Sequence, residues 1–172
     1  MLIVGERAPL FSAINQNGDH FDLITRKEKG FTVLYFYPKA GTPGCTKQAC
    51  AFRDAIQKIR SQQAEVYGIS ADSVADLKKF HTKQNLTFDL LADPDGRVIE
   101  LFGAKAPLLN MARRWTFILD SELNIRWIER DVDPLLDAQR VADQIKLLRE
   151  KKDSAKIEKS DPSHISATQG KS

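Results

Sequence analysis

Cysteine is scarce in this chain, with two among 172 residues, Cys45 and Cys50. That scarcity argues against a disulfide-stapled fold, and 42% apolar content over this length suits one domain whose core needs no staple. No segment approaches the roughly 18 to 20 apolar residues of a membrane span. The start, "MLIVGERAPLF", has only a short apolar run, with no basic segment before it and no small-residue cleavage site after it. The expectation is a cytoplasmic protein with neither signal peptide nor membrane association. Charge of one sign is also lacking. The net charge is +3, but Lys151 to Ser172 carry five Lys against three acids, leaving 21 basic and 20 acidic residues for the rest. No basic stripe with interleaved aromatics stands out, which argues against nucleic-acid binding. Two cysteines and the scattered His20, His81 and His164 lack the paired spacing of a zinc site, so neither metal nor cofactor is expected.

What is present reads as alternating strands and helices. "FTVLYFY" (Phe31 to Tyr37) is nearly all aromatic and β-branched, as a strand covered on both faces would be. Ala49, Phe52, Ile56 and Ile59 then recur at helical spacing and predict a helix from about Cys45 to Gln62. "EVYGIS" reads as a second strand, and "DSVADLKKFHTKQ" as a second helix opened by a Ser73–Asp76 capping box. "FDLLAD" is a further extended run closed by the turn signal "DPDG". "WTFILD" and "IRWIER" flank "SELN" as a β-hairpin. Ala138, Val141, Ile145 and Leu148 mark one face of a final helix beginning near Pro134. This order predicts an α/β fold, a thioredoxin-like sandwich with a mixed central sheet flanked by helices. One domain is expected over residues 1–150, followed by a polar, disordered tail over 151–172.

Both cysteines lie just after the carboxyl end of the central strand, the edge where open α/β sheets bind ligands. Pro38, Gly41, Pro43 and Gly44 break both periodicities and make a tight loop, which sets Cys45 in or near the first turn of the helix. The thiolate is the nucleophile, and a free cysteine with pKa about 8.5 is only a few per cent ionised at neutral pH. Unpaired amides and the macrodipole at a helix N-terminus favour the anion. Thr42 can bring its hydroxyl near the sulfur, while Pro38 and Pro43 stiffen the loop and add no amide donors.

These residues resemble a known family. "PKAGTPGC", Pro38 to Cys45, resembles the PxxxTxxC active-site motif of peroxiredoxins, and the wider "YFYPKAGTPGCT" is similar to the bacterioferritin comigratory protein, or peroxiredoxin Q, branch. The resemblance runs from about Ile3 to Leu148. It implies a thiol peroxidase that reduces hydrogen peroxide and organic hydroperoxides, with thioredoxin or a similar dithiol as reductant and a monomeric state. In the family the peroxidatic cysteine attacks the terminal peroxide oxygen and becomes a sulfenic acid; Cys45 matches that residue. The family's arginine, which stands just before a "TF" strand, matches Arg114 in "RRWTFILD". Arg113 is expected to face solvent, because successive strand residues point to opposite sides.

In part of the branch a cysteine five residues after the peroxidatic one resolves the sulfenic acid as an intramolecular disulfide, and Cys50 matches it. In an intact helix that spacing leaves the two Cα atoms roughly 8 to 9 Å apart, whereas a disulfide usually needs less than about 7 Å. The first turns of the helix must therefore unwind in each cycle. Otherwise Cys50 is a small buried residue and an external thiol resolves Cys45. Two departures stand out: Gln48, where many relatives have Glu, removes a carboxylate near the thiolate, and Trp115 stands where smaller or polar residues are common. Two other classes stay open, a thioredoxin-type oxidoreductase, although its usual CxxC is absent, and a non-enzymatic binding module.

Overall fold

The largely apolar run "FTVLYFY" owes its composition to its place at the centre of a sheet. In the computed structural model, which describes the backbone of residues 1–160 and the side chains of 1–155, this run forms β3 (Phe31–Phe36), whose six residues are all buried. Successive side chains alternate between faces, so Val33 and Tyr35 enter one core and Leu34 and Phe36 the other. Two apolar layers thus share one strand, and no position on it can be polar unless it is paired.

Around β3 the sheet takes the order β2-β1-β5-β4-β3-β6-β7. β4 (Ala64–Ser70) pairs parallel with β3 and with β5 (Asp89–Ala92). β6 (Trp115–Leu119) pairs antiparallel with β3 and with β7 (Ile125–Glu129), closing the expected hairpin. The sheet is mixed and helices flank it, as the order of elements predicts. The hairpin of β1 (Ser12–Asn15) and β2 (His20–Asp22) is an addition to that prediction, although Asn17-Gly18 between the strands is a strong turn signal.

One face carries α1 (Pro43–Arg60), α2 (Val74–Lys83) and α4 (Asp137–Ser160). From α1, Cys45, Ala49, Phe52, Ile56 and Ile59 join Val141, Ala142 and Ile145 of α4 in that core. The other face is covered by the short α3 (Arg97–Leu101) and the N-terminal segment, with Phe11, Phe102, Trp115 and Phe117 packed together. Ser73 caps α2 by accepting from the Asp76 N–H at 3.1 Å. Gly68, opposite Tyr35 in the parallel register, keeps the tyrosine ring in place, since a Cβ there would lie 2.7 Å from it.

The domain boundary expected at residue 150 falls inside α4, which continues to Ser160. "KKDSAKIEKS" is rich in Lys, which favours helix, and meets no proline before Pro162. The rest of the expected tail, 161–172 with His164, lies outside the described residues. Among the described residues no helix is long and apolar enough to cross a membrane.

Candidate active site

The loop after β3 is tied down before it reaches the thiol. The Tyr37 N–H donates to the Ile69 carbonyl at 3.1 Å, and the Ala40 N–H donates to Asp72 Oδ2 at 2.8 Å. Ser70 Oγ donates to the same oxygen at 2.7 Å. Pro38 follows as a half-buried spacer. Thr42 then serves as the N-cap of α1 in extended geometry, with Pro43 as the first helical residue, where its missing N–H is not needed. The first intrahelical bond runs from the Thr46 N–H to the Thr42 carbonyl at 2.9 Å. Gly44 and Cys45 thus sit in the first turn, where amides have no partner within the helix.

The Thr42 hydroxyl has a partner other than the one the sequence suggests. It donates to the Lys39 carbonyl at 2.7 Å and so braces the loop, and no cap bond from its side chain forms. Its oxygen keeps lone pairs that can still accept.

Cys45 is buried, 1% exposed, and its sulfur meets Arg114 Nη2 at 3.4 Å. The close approach depends on Gly44, since a Cβ there would come within 3.1 Å of the same Nη2. Arg114 Nη1 donates to Gln48 Oε1 at 2.7 Å, so the guanidinium spans the first two turns of α1. Arg113, which precedes β6, is exposed, as expected, and donates to the Lys105 carbonyl. Trp115, the first residue of β6, is turned away from the thiol: it packs in the opposite core, where Arg130 stacks on its ring at 4.9 Å.

Gln48 does not leave the site without a carboxyl group. Its Nε2 donates to Asp137 Oδ2 at 3.0 Å, and Thr116 Oγ1 donates to the same oxygen at 2.7 Å. Burial, above all, pushes the Asp137 carboxyl up to about 6, against the pull of these two hydrogen bonds. Nothing in the sequence around Asp137 marks it, since an Asp in the first turn of a helix is common for dipole reasons alone. Three buried oxygens have no hydrogen-bond partner among the described residues: Asp137 Oδ1 and the hydroxyls of Tyr35 and Tyr37. Both tyrosines belong to the core that holds Cys45, and burial pushes both phenols up. Ser70 lies near the Tyr37 hydroxyl, but its own hydrogen is committed to Asp72.

Cys50 is half-buried on the same helix, unpaired like Cys45, and its thiol donates to Gln84 Oε1 at 3.4 Å. Arg53, one turn on, donates to the Gln84 carbonyl at 2.7 Å. His81 lies on α2, its Nε2 3.0 Å from the Phe88 carbonyl. Among the described residues no three His, Cys, Asp or Glu side chains gather as metal ligands.

Known proteins resemble this chain over most of its length. A profile of the AhpC/TSA family matches residues 4–128. A peroxiredoxin bcp of Coxiella burnetii is 38% identical over 138 residues, covering 76% of this chain and 91% of that protein. The chloroplastic peroxiredoxin Q of Oryza sativa subsp. japonica is 42% identical over 125 residues, covering 72% of this chain. The aligned part is only 57% of that plant protein's length. Among solved structures, peroxidoxin BcpB from Mycobacterium tuberculosis superposes with a TM-score of 0.80 at 30% identity, over 86% of this chain and 98% of that one.

Proposed function

The chain belongs to the AhpC/TSA family, and from that premise we propose that it is a thiol peroxidase acting on hydrogen peroxide and small organic hydroperoxides. The observation that carries the reading is the 3.4 Å contact between Arg114 Nη2 and a buried Cys45 sulfur in the first turn of α1. A guanidinium and first-turn amides are the donors that a thiolate and a developing oxyanion need. The Cys45 thiolate attacks the terminal peroxide oxygen, the O–O bond breaks, and the leaving alkoxide takes a proton to depart as alcohol, or as water from hydrogen peroxide. Cys45 is left as the sulfenic acid. Pro38 and Thr42 hold the loop, and the lone pairs of Thr42 can accept from the protonated peroxide oxygen.

Cys50 then attacks the sulfenic sulfur, releasing water and forming the Cys45–Cys50 disulfide. Thioredoxin or a similar dithiol reduces that disulfide and is itself oxidised. The protein acts as a monomer in the cytoplasm, a reducing compartment that suits two free cysteines. The lack of CxxC weighs against a thioredoxin-type oxidoreductase. The test is to add one equivalent of hydrogen peroxide to reduced protein and count free thiols. Rapid loss of both thiols is expected. Loss only with disulfide substrates would favour the oxidoreductase, and slow loss would leave the cysteines as passive core.

A further inference from the structure

Five side chains form one unbroken run of hydrogen bonds from β6 to the thiol. Thr116 and Gln48 both donate to Asp137, Arg114 donates to Gln48, and Arg114 reaches Cys45. The run joins α4 to α1, which are 89 residues apart at the Gln48–Asp137 contact. Both ends of that contact are shielded from solvent, with Gln48 0% and Asp137 1% exposed.

A carboxamide can face Arg114 in two ways, and only one of them is useful. With Oε1 toward the guanidinium it accepts; flipped, it would set its NH2 against a group that has only donors. Asp137 makes the choice. Its Oδ2 requires a donor, so Nε2 must point to α4 and Oε1 must point to Arg114. We propose that Asp137 is a positioning residue for the thiol reaction, orienting the neutral Gln48 amide so that it holds the Arg114 guanidinium against Cys45. This deepens the peroxidase reading and rests on it. A carboxyl group supports the arginine from α4 and stands one amide further from the sulfur than a carboxylate at position 48 would.

That distance has a consequence for charge. Around Asp137 stand Thr116 and Gln48 in hydrogen-bond contact, Glu129 on β7 pushing its carboxyl up and Arg140 on α4 pulling it down. Tyr35 on β3 is close enough to feel Asp137, Arg114 and Cys45 together. Among the described residues Oδ1 has no partner, and an ionised carboxylate with one oxygen bare is the costlier form, which agrees with the upward push to about 6. A proton on Oδ1 would leave Oδ2 free to accept both hydrogen bonds. In neutral form Asp137 therefore orients Gln48 without placing a second negative charge beside the thiolate. Above that range it ionises and opposes the charge on Cys45.

The experiment compares wild type with Asp137→Asn and Asp137→Ala from pH 5 to 8. Two rates are read: single-turnover oxidation of Cys45 by hydrogen peroxide, and its alkylation by iodoacetamide. Trypsin separates the Cys45 peptide, Ala40 to Lys47, from the Cys50 peptide, Gln48 to Arg53. In wild type both rates should rise with pH and break to a shallower slope near 6. Asp137→Asn presents an oxygen and an NH2 where the neutral acid has an oxygen and an OH. It should keep the wild-type rates of pH 5 to within a few-fold and lose the break. Asp137→Ala should slow peroxide oxidation about tenfold or more across the range, because the amide is free to turn and the arginine to drift. The proposal is overturned if the wild-type profile has no break, if Asp137→Asn retains it, or if a folded Asp137→Ala reacts like wild type. Should wild type react with peroxide no faster than free cysteine, the peroxidase reading fails, while the alkylation profiles still decide the role of Asp137.

Discussion

Cys45 and Cys50 share one uninterrupted helix yet face different neighbours: the first sulfur meets Arg114 Nη2 at 3.4 Å, the second Gln84 Oε1 at 3.4 Å. One points into the site and the other toward the end of α2. At a separation of five positions on an intact helix, the Cα atoms lie about 8 to 9 Å apart, beyond the reach of a disulfide. A resolving role for Cys50 thus requires α1 to open and both contacts to break. Amide hydrogen exchange should show Thr46 to Arg53 losing protection in the oxidised protein. Equal protection in the two redox states would exclude the motion.

Cys50→Ser separates the two half-reactions. The first reduction of peroxide should survive at the wild-type rate, since nothing around Cys45 changes. Turnover with a dithiol protein should collapse. Turnover kept at the wild-type level would make Cys50 a packing residue and assign resolution to an external thiol.

Arg114 makes two contacts from one planar fork, and Lys cannot reproduce both. Arg114→Lys and Arg114→Ala should lower the rate constant of Cys45 oxidation by about 10²-fold or more, the usual cost of removing a donor aimed at developing charge. Stopped-flow oxidation under single-turnover conditions measures it. A change under threefold would remove Arg114 from the chemistry.

Gly44→Ala is expected to uncouple stability from reactivity. The new Cβ would stand 3.1 Å from Arg114 Nη2, so the guanidinium must shift by a few tenths of an ångström. Ala also favours helix over Gly, by up to about 1 kcal/mol in a helix interior. The variant should unfold at the same denaturant concentration or higher, yet oxidise several-fold more slowly. A loss of stability with unchanged oxidation would contradict the crowding of Arg114.

The raised Asp137 pKa has a sign in stability as well. The folded state holds its proton up to about 6, against 3.8 as the ordinary value, so the native protein binds more protons than the unfolded chain between these limits. Stability from this group is therefore present below pH 4 and falls as pH rises through 6, by on the order of 2 to 3 kcal/mol. Asp137→Asn carries no such dependence. Its stability relative to wild type, from urea unfolding at pH 4 and pH 7, should increase toward pH 7, and a flat difference would show that burial does not shift the group.

Much of the fold could be read along the chain because its signals are local. β3 shows itself by apolar residues on both faces, α1 by the spacing of Ala49, Phe52, Ile56 and Ile59, and the β6–β7 hairpin by its turn. The β1–β2 hairpin carried an equally local signal in Asn17-Gly18, but its strands are only four and three residues long. Trp115 illustrates what a local reading leaves open. Its neighbour Arg114 points to the thiol, and only the sheet's two-sided packing decides that the indole goes to the other core.

The amino-acid sequence by itself determined the setting of Cys45. Pro38, Thr42, Pro43 and Gly44 end a strand and start a helix within a few residues, and short-range backbone sterics suffice to put Cys45 in the first turn. It also marked Arg114 through the strand that follows. Only the tertiary structure decided what holds that arginine. Gln48 looks like a lost carboxylate until α4 packs on α1 and brings Asp137 to its amide, from 89 residues away. The proton affinity of that carboxyl group comes from burial, a property of the packed core rather than of any stretch of sequence.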